Sequence, residues 1–174
     1  MGFIAAFYTL HENDSDALLA AAKPDIRWID TAVFMFKKPM EKEIDHFPNF
    51  LRDCAVGQEE YAFSGYGFCD LDSLLERSAG WTLFGLGNCD LANKLSEVRA
   101  TQIAVFDGNA AKLALSKLNG IALEESQVRK YFQENHPPED EGPGTEAVLA
   151  AYEIGKHWLA AVGDKEIGLL ILGE

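Results

Sequence analysis

The sequence predicts a single α+β domain, a mixed or antiparallel sheet packed with several helices. Three observations support this. Short runs rich in aromatic and β-branched residues recur at 3–10, 29–37, 101–106 and 167–172. Segments with helix start and stop signals lie between them. Their order is not the regular strand–helix alternation of a parallel sheet. The chain has 174 residues, 48% of them hydrophobic. That length suits one core, which buries about 70% of the unfolded surface.

Residues 3–10 are apolar throughout and predict a buried strand. Asn13-Asp14-Ser15-Asp16 offers N-caps for a helix over 17–22, which Lys23-Pro24 ends. Residues 29–37 predict a strand bounded by Pro39. Within 40–54, Pro48 divides two short helical pieces. Residues 61–69 alternate aromatic and small side chains and predict a bulged strand. A helix over 70–77 with an acidic first turn follows, and Gly80 closes it. Residues 81–88 read as strand or buried loop, 91–98 as a helix and 101–106 as a strand. Helices are expected over 110–118 and 124–132. The stretch 136–144, with three of the six prolines, predicts a loop. Thr145 then caps a final helix over 146–162, ended by Gly163, and 167–172 form the last strand. Phe3, Phe7, Phe34, Phe36, Phe63, Phe68, Trp81 and Phe84 are expected mostly in one core. Trp28 and Trp158 are expected half exposed.

Fifteen Lys and Arg stand against 28 Asp and Glu, a formal charge of −13. Nucleic-acid binding draws on Lys and Arg, so this balance argues against it. It argues equally against anionic membrane surfaces. The charge is spread, −7 over residues 1–87 and −6 over 88–174. The densest acidic run is Glu134, Glu139, Asp140, Glu141 and Glu146, with no Lys or Arg among them. The first ten residues lack the basic start of a secretory signal, and Ala6 stands where a myristoylation motif carries Ser or Thr. Cys54, Cys69 and Cys89 are an odd, scattered set, read as free thiols in a reducing cytoplasm.

The usual catalytic signatures are missing. No CxxC or HxxxH spacing brings metal ligands together, so no metal or cofactor is expected. Gly85-x-Gly87 precedes a helix, but Asp90 stands where a dinucleotide loop needs glycine and would repel a pyrophosphate. Gly65-x-Gly67 has Asp70 at the same offset. Cys69 and Cys89 each fall at a helix start, where the helix dipole favours a thiolate, although Asp70 and Asp90 oppose it.

Met1-Gly2-Phe3-Ile4 with its aromatic strand, the capped helix at 15–22 and the terminal helix–Gly–strand from Ala151-Tyr152 to Leu170-Ile171-Leu172-Gly173 together resemble the YfbM-like family of small bacterial proteins. The resemblance implies an α+β, cytoplasmic protein with no assigned activity, and no catalytic residues are carried over.

The expected function is therefore a non-enzymatic protein-binding or regulatory module of the toxin-immunity kind, by analogy of charge and size. A basic protein partner would dock at Glu134, Glu139, Asp140 and Glu141. The alternative is a small-molecule-binding protein or enzyme with a Cys/His-containing cleft built around Cys69 or Cys89.

Overall fold

The computed structural model describes residues 3–33 and 36–173. Strands β1 (Ile4–His11), β4 (Val56–Gly57), β5 (Gln102–Asp107) and β6 (Glu166–Gly173) form one sheet in the order β4-β1-β6-β5. Every pairing in it is antiparallel. β1 and β6, from opposite ends of the chain, pair over their full lengths, from Ile4 opposite Gly173 to His11 opposite Glu166.

Alternation divides this sheet into two apolar faces. Ala5, Phe7, Ala104, Phe106, Leu170 and Leu172 point to one side. That side is covered by α3 (Tyr66–Ala79), α4 (Leu83–Leu86), α6 (Gly108–Asn119), α7 (Glu125–Asn135) and α8 (Glu141–Ala160). Leu10, Ile103, Val105, Ile167 and Leu169 point to the other, beneath α1 (Ser15–Ala22), α2 (Phe47–Cys54) and α5 (Asp90–Arg99). The α+β class is as expected, with the sheet wholly antiparallel and helices packed on both faces.

Two more strands, β2 (Asp25–Val33) and β3 (Phe36–Ile44), pair with each other as a separate antiparallel ribbon. The expected strand over 29–37 therefore spans parts of two strands. Pro39 lies inside β3 opposite Asp30, not at a strand end. A two-stranded ribbon has two open edges, where a missing N–H is tolerated. Phe34 and Met35, together with the side chains of residues 28–40, which include Trp28 and Phe36, lie outside the described residues.

Several other expectations are corrected by packing. Residues 40–44 are strand, and Pro48 opens α2 instead of breaking a helix. The first helical turn has no use for its N–H. The expected strand over 61–69 is a loop followed by the start of α3. Phe68, Leu71 and Leu75 recur there at helical spacing and are all buried. Residues 81–88 hold the short α4, and the carbonyl of Gly87 accepts from the Val105 N–H.

The expected loop at 136–144 is mostly helical: a 3₁₀ turn over Pro138–Asp140 runs into α8, which already contains Gly142, Pro143 and Gly144. Pro143 falls in the first turn, where proline fits. Any side chain at position 144 would collide with the Phe132 ring. Thr145 is a buried residue of this helix, its Oγ1 donating to the Glu141 carbonyl at 2.6 Å, and not a cap.

The core also differs in one large residue. Trp158 is only 2% exposed. Its ring stacks between Phe7 at 5.4 Å and Phe68 at 5.3 Å, and its Nε1–H donates to the Glu59 carbonyl. Phe7 and Phe68 are buried, Phe3, Trp81 and Phe84 are half-buried, and Phe63 is exposed.

Helix ends mostly match their expected signals. Gly80 closes α3 with φ 72°. α5 ends instead on Ala100, whose φ of 49° is left-handed. A Cβ makes that conformation costly, so Ala100→Gly is expected to raise stability by roughly 0.5 kcal/mol in a denaturant titration, after the larger unfolded-state entropy of glycine is offset.

Candidate functional site

The acidic run is distributed over α7, the 3₁₀ turn and α8. Glu134 lies in the last turn of α7, 3.9 Å from Lys130 Nζ. Glu139 and Asp140 are exposed on the 3₁₀ turn. Glu141 begins α8 and is half-buried, its carboxylate 3.2 Å from Arg129, which also binds Glu125 at 2.7 Å. Part of this acidity is thus neutralised within the fold, and Glu139 and Asp140 are left with no ion pair among the described residues.

The acidic surface continues along α8. Glu146, Ala150, Glu153 and His157 follow at spacings that keep them on one helix face. Where this face meets residues 59–63 there is a cleft of about 310 Å³. Phe63, Ala150 and Ile154 supply its apolar wall, and Glu59, Glu60 and Glu153 ring it, Glu153 meeting Lys156 Nζ at 2.8 Å. The loop is pinned there by two long-range bonds: Tyr61 OH donates to the Ala147 carbonyl at 2.7 Å, and Trp158 Nε1 donates to the Glu59 carbonyl at 3.0 Å. Burial, helped by Asp70, pushes the Tyr61 phenol well above its usual range, so it stays a neutral donor.

A larger groove of about 1060 Å³ lies on the opposite face of the sheet. α2 is eight residues long and α5 stops at Arg99, so neither reaches over the end where β1 begins and β6 finishes. Ile4, Ala6, Tyr8 and Ile171 form the floor, and Phe47, Pro48 and Leu51 of α2 form one wall. Phe3 stacks on Tyr66 at 4.6 Å at the other side. Ile4 is 56% and Tyr66 62% exposed, so the fully buried strand expected at 3–10 is open at its first residues. Arg99 holds Asp45 through two bonds of 2.8 Å and lies over the Phe47 ring at 4.8 Å. This pairing keeps the Asp45 carboxyl below its ordinary range.

Neither cleft is lined by a cysteine. All three thiols are free. Cys69 lies one turn inside α3, not at the start of the helix, and is half-buried. Burial pushes its thiol up, and Asp70 and Asp72 add to the rise, so it is protonated at neutral pH. Cys89 is exposed at the N-cap of α5.

The nearest histidine cluster is structural in form. His136 Nε2 lies 3.2 Å from Asp70, which also accepts from Tyr131 OH at 3.2 Å, and Arg77 lies over the Tyr131 ring. These contacts clasp α3 to the end of α7, away from both clefts. Burial raises the Asp70 carboxyl, and His136 opposes the rise. Among the described residues no three His, Cys, Asp or Glu side chains are placed to hold a metal ion. No helix among them is long and apolar enough to cross a membrane.

The acidic run was legible in the sequence, whereas the two clefts were not. Glu59 and Glu60 meet Glu153 only through folding, and the groove depends on where two helices stop. Comparison with protein-family models, curated proteins and solved structures finds no match, so the fold and its two clefts are the ground for a functional reading.

Proposed function

We propose that this protein is a non-enzymatic cytoplasmic binding module that docks a basic protein partner on the acidic face of α8. The observation that carries this reading is the small apolar cleft ringed by Glu59, Glu60 and Glu153. Such a cleft suits a Lys or Arg side chain of the partner. The alkyl stem packs on Phe63, Ala150 and Ile154 while the cation reaches the carboxylates at the rim. The helix rises about 1.5 Å per residue, so Glu146 and Glu153 stand about 10 Å apart along this face. Glu139 and Asp140 extend the same field and speed encounter with a positive surface. The free thiols suit a reducing compartment. The YfbM-like resemblance of the chain ends belongs to the same proposal.

A matched pair of triple variants tests the reading. Glu59→Gln/Glu60→Gln/Glu153→Gln removes three charges from the cleft. Glu12→Gln/Asp16→Asn/Glu97→Gln removes three exposed charges elsewhere. Binding to a fluorescent lysine-rich peptide is read by anisotropy at low salt. The cleft variant is expected to weaken binding about tenfold, and the control less than about twofold. Equal losses from both variants show only a net-charge effect and refute the site.

A further inference from the structure

The charge of the large groove runs against that of the molecule. Acids outnumber bases 28 to 15 in the chain, yet among the described residues the groove is lined by two arginines, Arg52 and Arg99, and by no Asp or Glu. Their carboxylate partners, Asp45 and Asp53, stand outside the lining. Each guanidinium keeps donors to spare. Arg99 gives Asp45 one hydrogen from each terminal nitrogen, out of five N–H in all. Arg52 meets Asp53 through Nε and Nη2, and its Nη1 makes no bond among the described residues. The Arg52–Asp53 pair is exposed, with 69% and 59% of the two side chains open to water, so water screens it and an incoming anion can compete for it.

Thr101 and Gln102 add polar groups to the lining, and most of the rest is apolar. Ile4, Ala6 and Ile171 lie along the floor, with Leu51 and Pro48 beside them. A concave site with an apolar floor and a few convergent polar groups is the usual form of a small-ligand site. The groove's volume matches the upper range of small-ligand sites.

We propose that this groove binds a small anionic amphiphile: a free carboxylate with an unbranched apolar body, of the fatty-acid class. The body lies over Ile4, Ala6 and Ile171, and the carboxylate meets Arg52 at the mouth, with Arg99 adding to the local field. Guanidinium–carboxylate pairing is bidentate and directional, which fixes the orientation of an otherwise featureless chain. This site is on the opposite sheet face from the acidic cleft, and neither reading depends on the other.

The test compares decanoate with decanol by isothermal titration on the full chain. Wild-type protein is expected to bind decanoate saturably and at least about tenfold more tightly than decanol. Arg52 is exposed and, among the described residues, bonded only to its neighbour Asp53. Arg52→Gln is therefore expected to fold normally, weaken decanoate about tenfold and leave decanol within about twofold. Ile4→Asn is expected to weaken both ligands together. Equal affinity for acid and alcohol overturns the proposal, as does decanoate binding that Arg52→Gln leaves unchanged, and so does the absence of saturable binding.

Discussion

Replacing Trp158 by alanine is expected to destabilise the protein by about 4 kcal/mol, the largest loss from any single truncation argued from this fold. The indole is 2% exposed and is held between two parallel rings, at interplanar angles of 11° to Phe7 and 5° to Phe68. Its removal leaves a cavity between β1, α3 and α8 that three elements cannot close together. It also strands the Glu59 carbonyl, which accepts from Nε1 at 3.0 Å. Trp158→Phe separates these effects. The phenyl ring keeps much of the stack but cannot donate, so a smaller loss of about 1–2 kcal/mol is expected. Urea denaturation followed by far-UV circular dichroism reads both. For a chain of this size the alanine variant also melts roughly 10 °C lower. An alanine variant within about 1 kcal/mol of wild type shows that the stack is not part of the stabilising core.

Trp158 also illustrates what local sequence conveys. Within its own helix it neighbours the exposed His157, and nothing nearby forecasts its partners. Phe7 lies some 150 residues earlier, and the Glu59 carbonyl is 99 positions away. β1, β5 and β6 were legible because their apolar runs are short and bounded, and burial on both faces demands such runs. α3 was half legible. Gly80 marked its end, but Asp70 and Asp72, expected in its first turn, lie past that turn, because Phe63, Gly65, Gly67 and Phe68 imitate the alternation of a strand and hide the true start at Tyr66. The helical repeat of Phe68, Leu71 and Leu75 emerges only when read onward from there. The start of α8 was concealed by Gly142, Pro143 and Gly144, residues that ordinarily signal a loop. Here the proline falls in a first turn and Gly144 lies against Phe132.

The clefts follow the same division. The acidic run at 134–146 was visible as composition, since charge needs no fold to be counted. The cleft that gives it shape joins residues 59–63 to α8, and only tertiary contacts place it. The groove was concealed further, because the run 3–10 forecasts burial for Ile4. Its exposure depends on α2 and α5 both stopping short of that end of the sheet.

Asp72 is expected to make stability fall as pH rises through about 6, an unusual direction for an aspartate. Its carboxylate accepts from the N–H of Leu83 at 2.6 Å and of Phe84 at 3.1 Å, satisfying the first turn of α4. Burial pushes the carboxyl up to about 6, Glu76 adds to the rise, and the two N–H bonds only partly oppose it. In the unfolded chain the group has its ordinary value of 3.8. The folded state therefore holds this proton more tightly. The resulting stabilisation is full below about pH 4 and is lost as pH rises through 6. Its size is on the order of 2 kcal/mol, allowing for water that reaches a partly buried group. Asp45 acts with the opposite sign. Arg99 depresses its carboxyl, so its contribution is present above the ordinary aspartate range and is lost only below it. Asp72→Asn isolates the effect, since a carboxamide does not titrate; its NH2 cannot accept the second N–H bond, which lowers the variant by an amount that does not change with pH. Relative to wild type the variant is expected to gain about 2 kcal/mol between pH 4 and pH 7.5, in paired urea titrations. The repulsion among the remaining acids is common to both proteins and cancels in the difference. A wild-type-minus-variant difference that stays constant from pH 4 to 7.5 shows that Asp72 does not titrate in this range. In that case the cap on α4 is held by an ordinary ionised carboxylate.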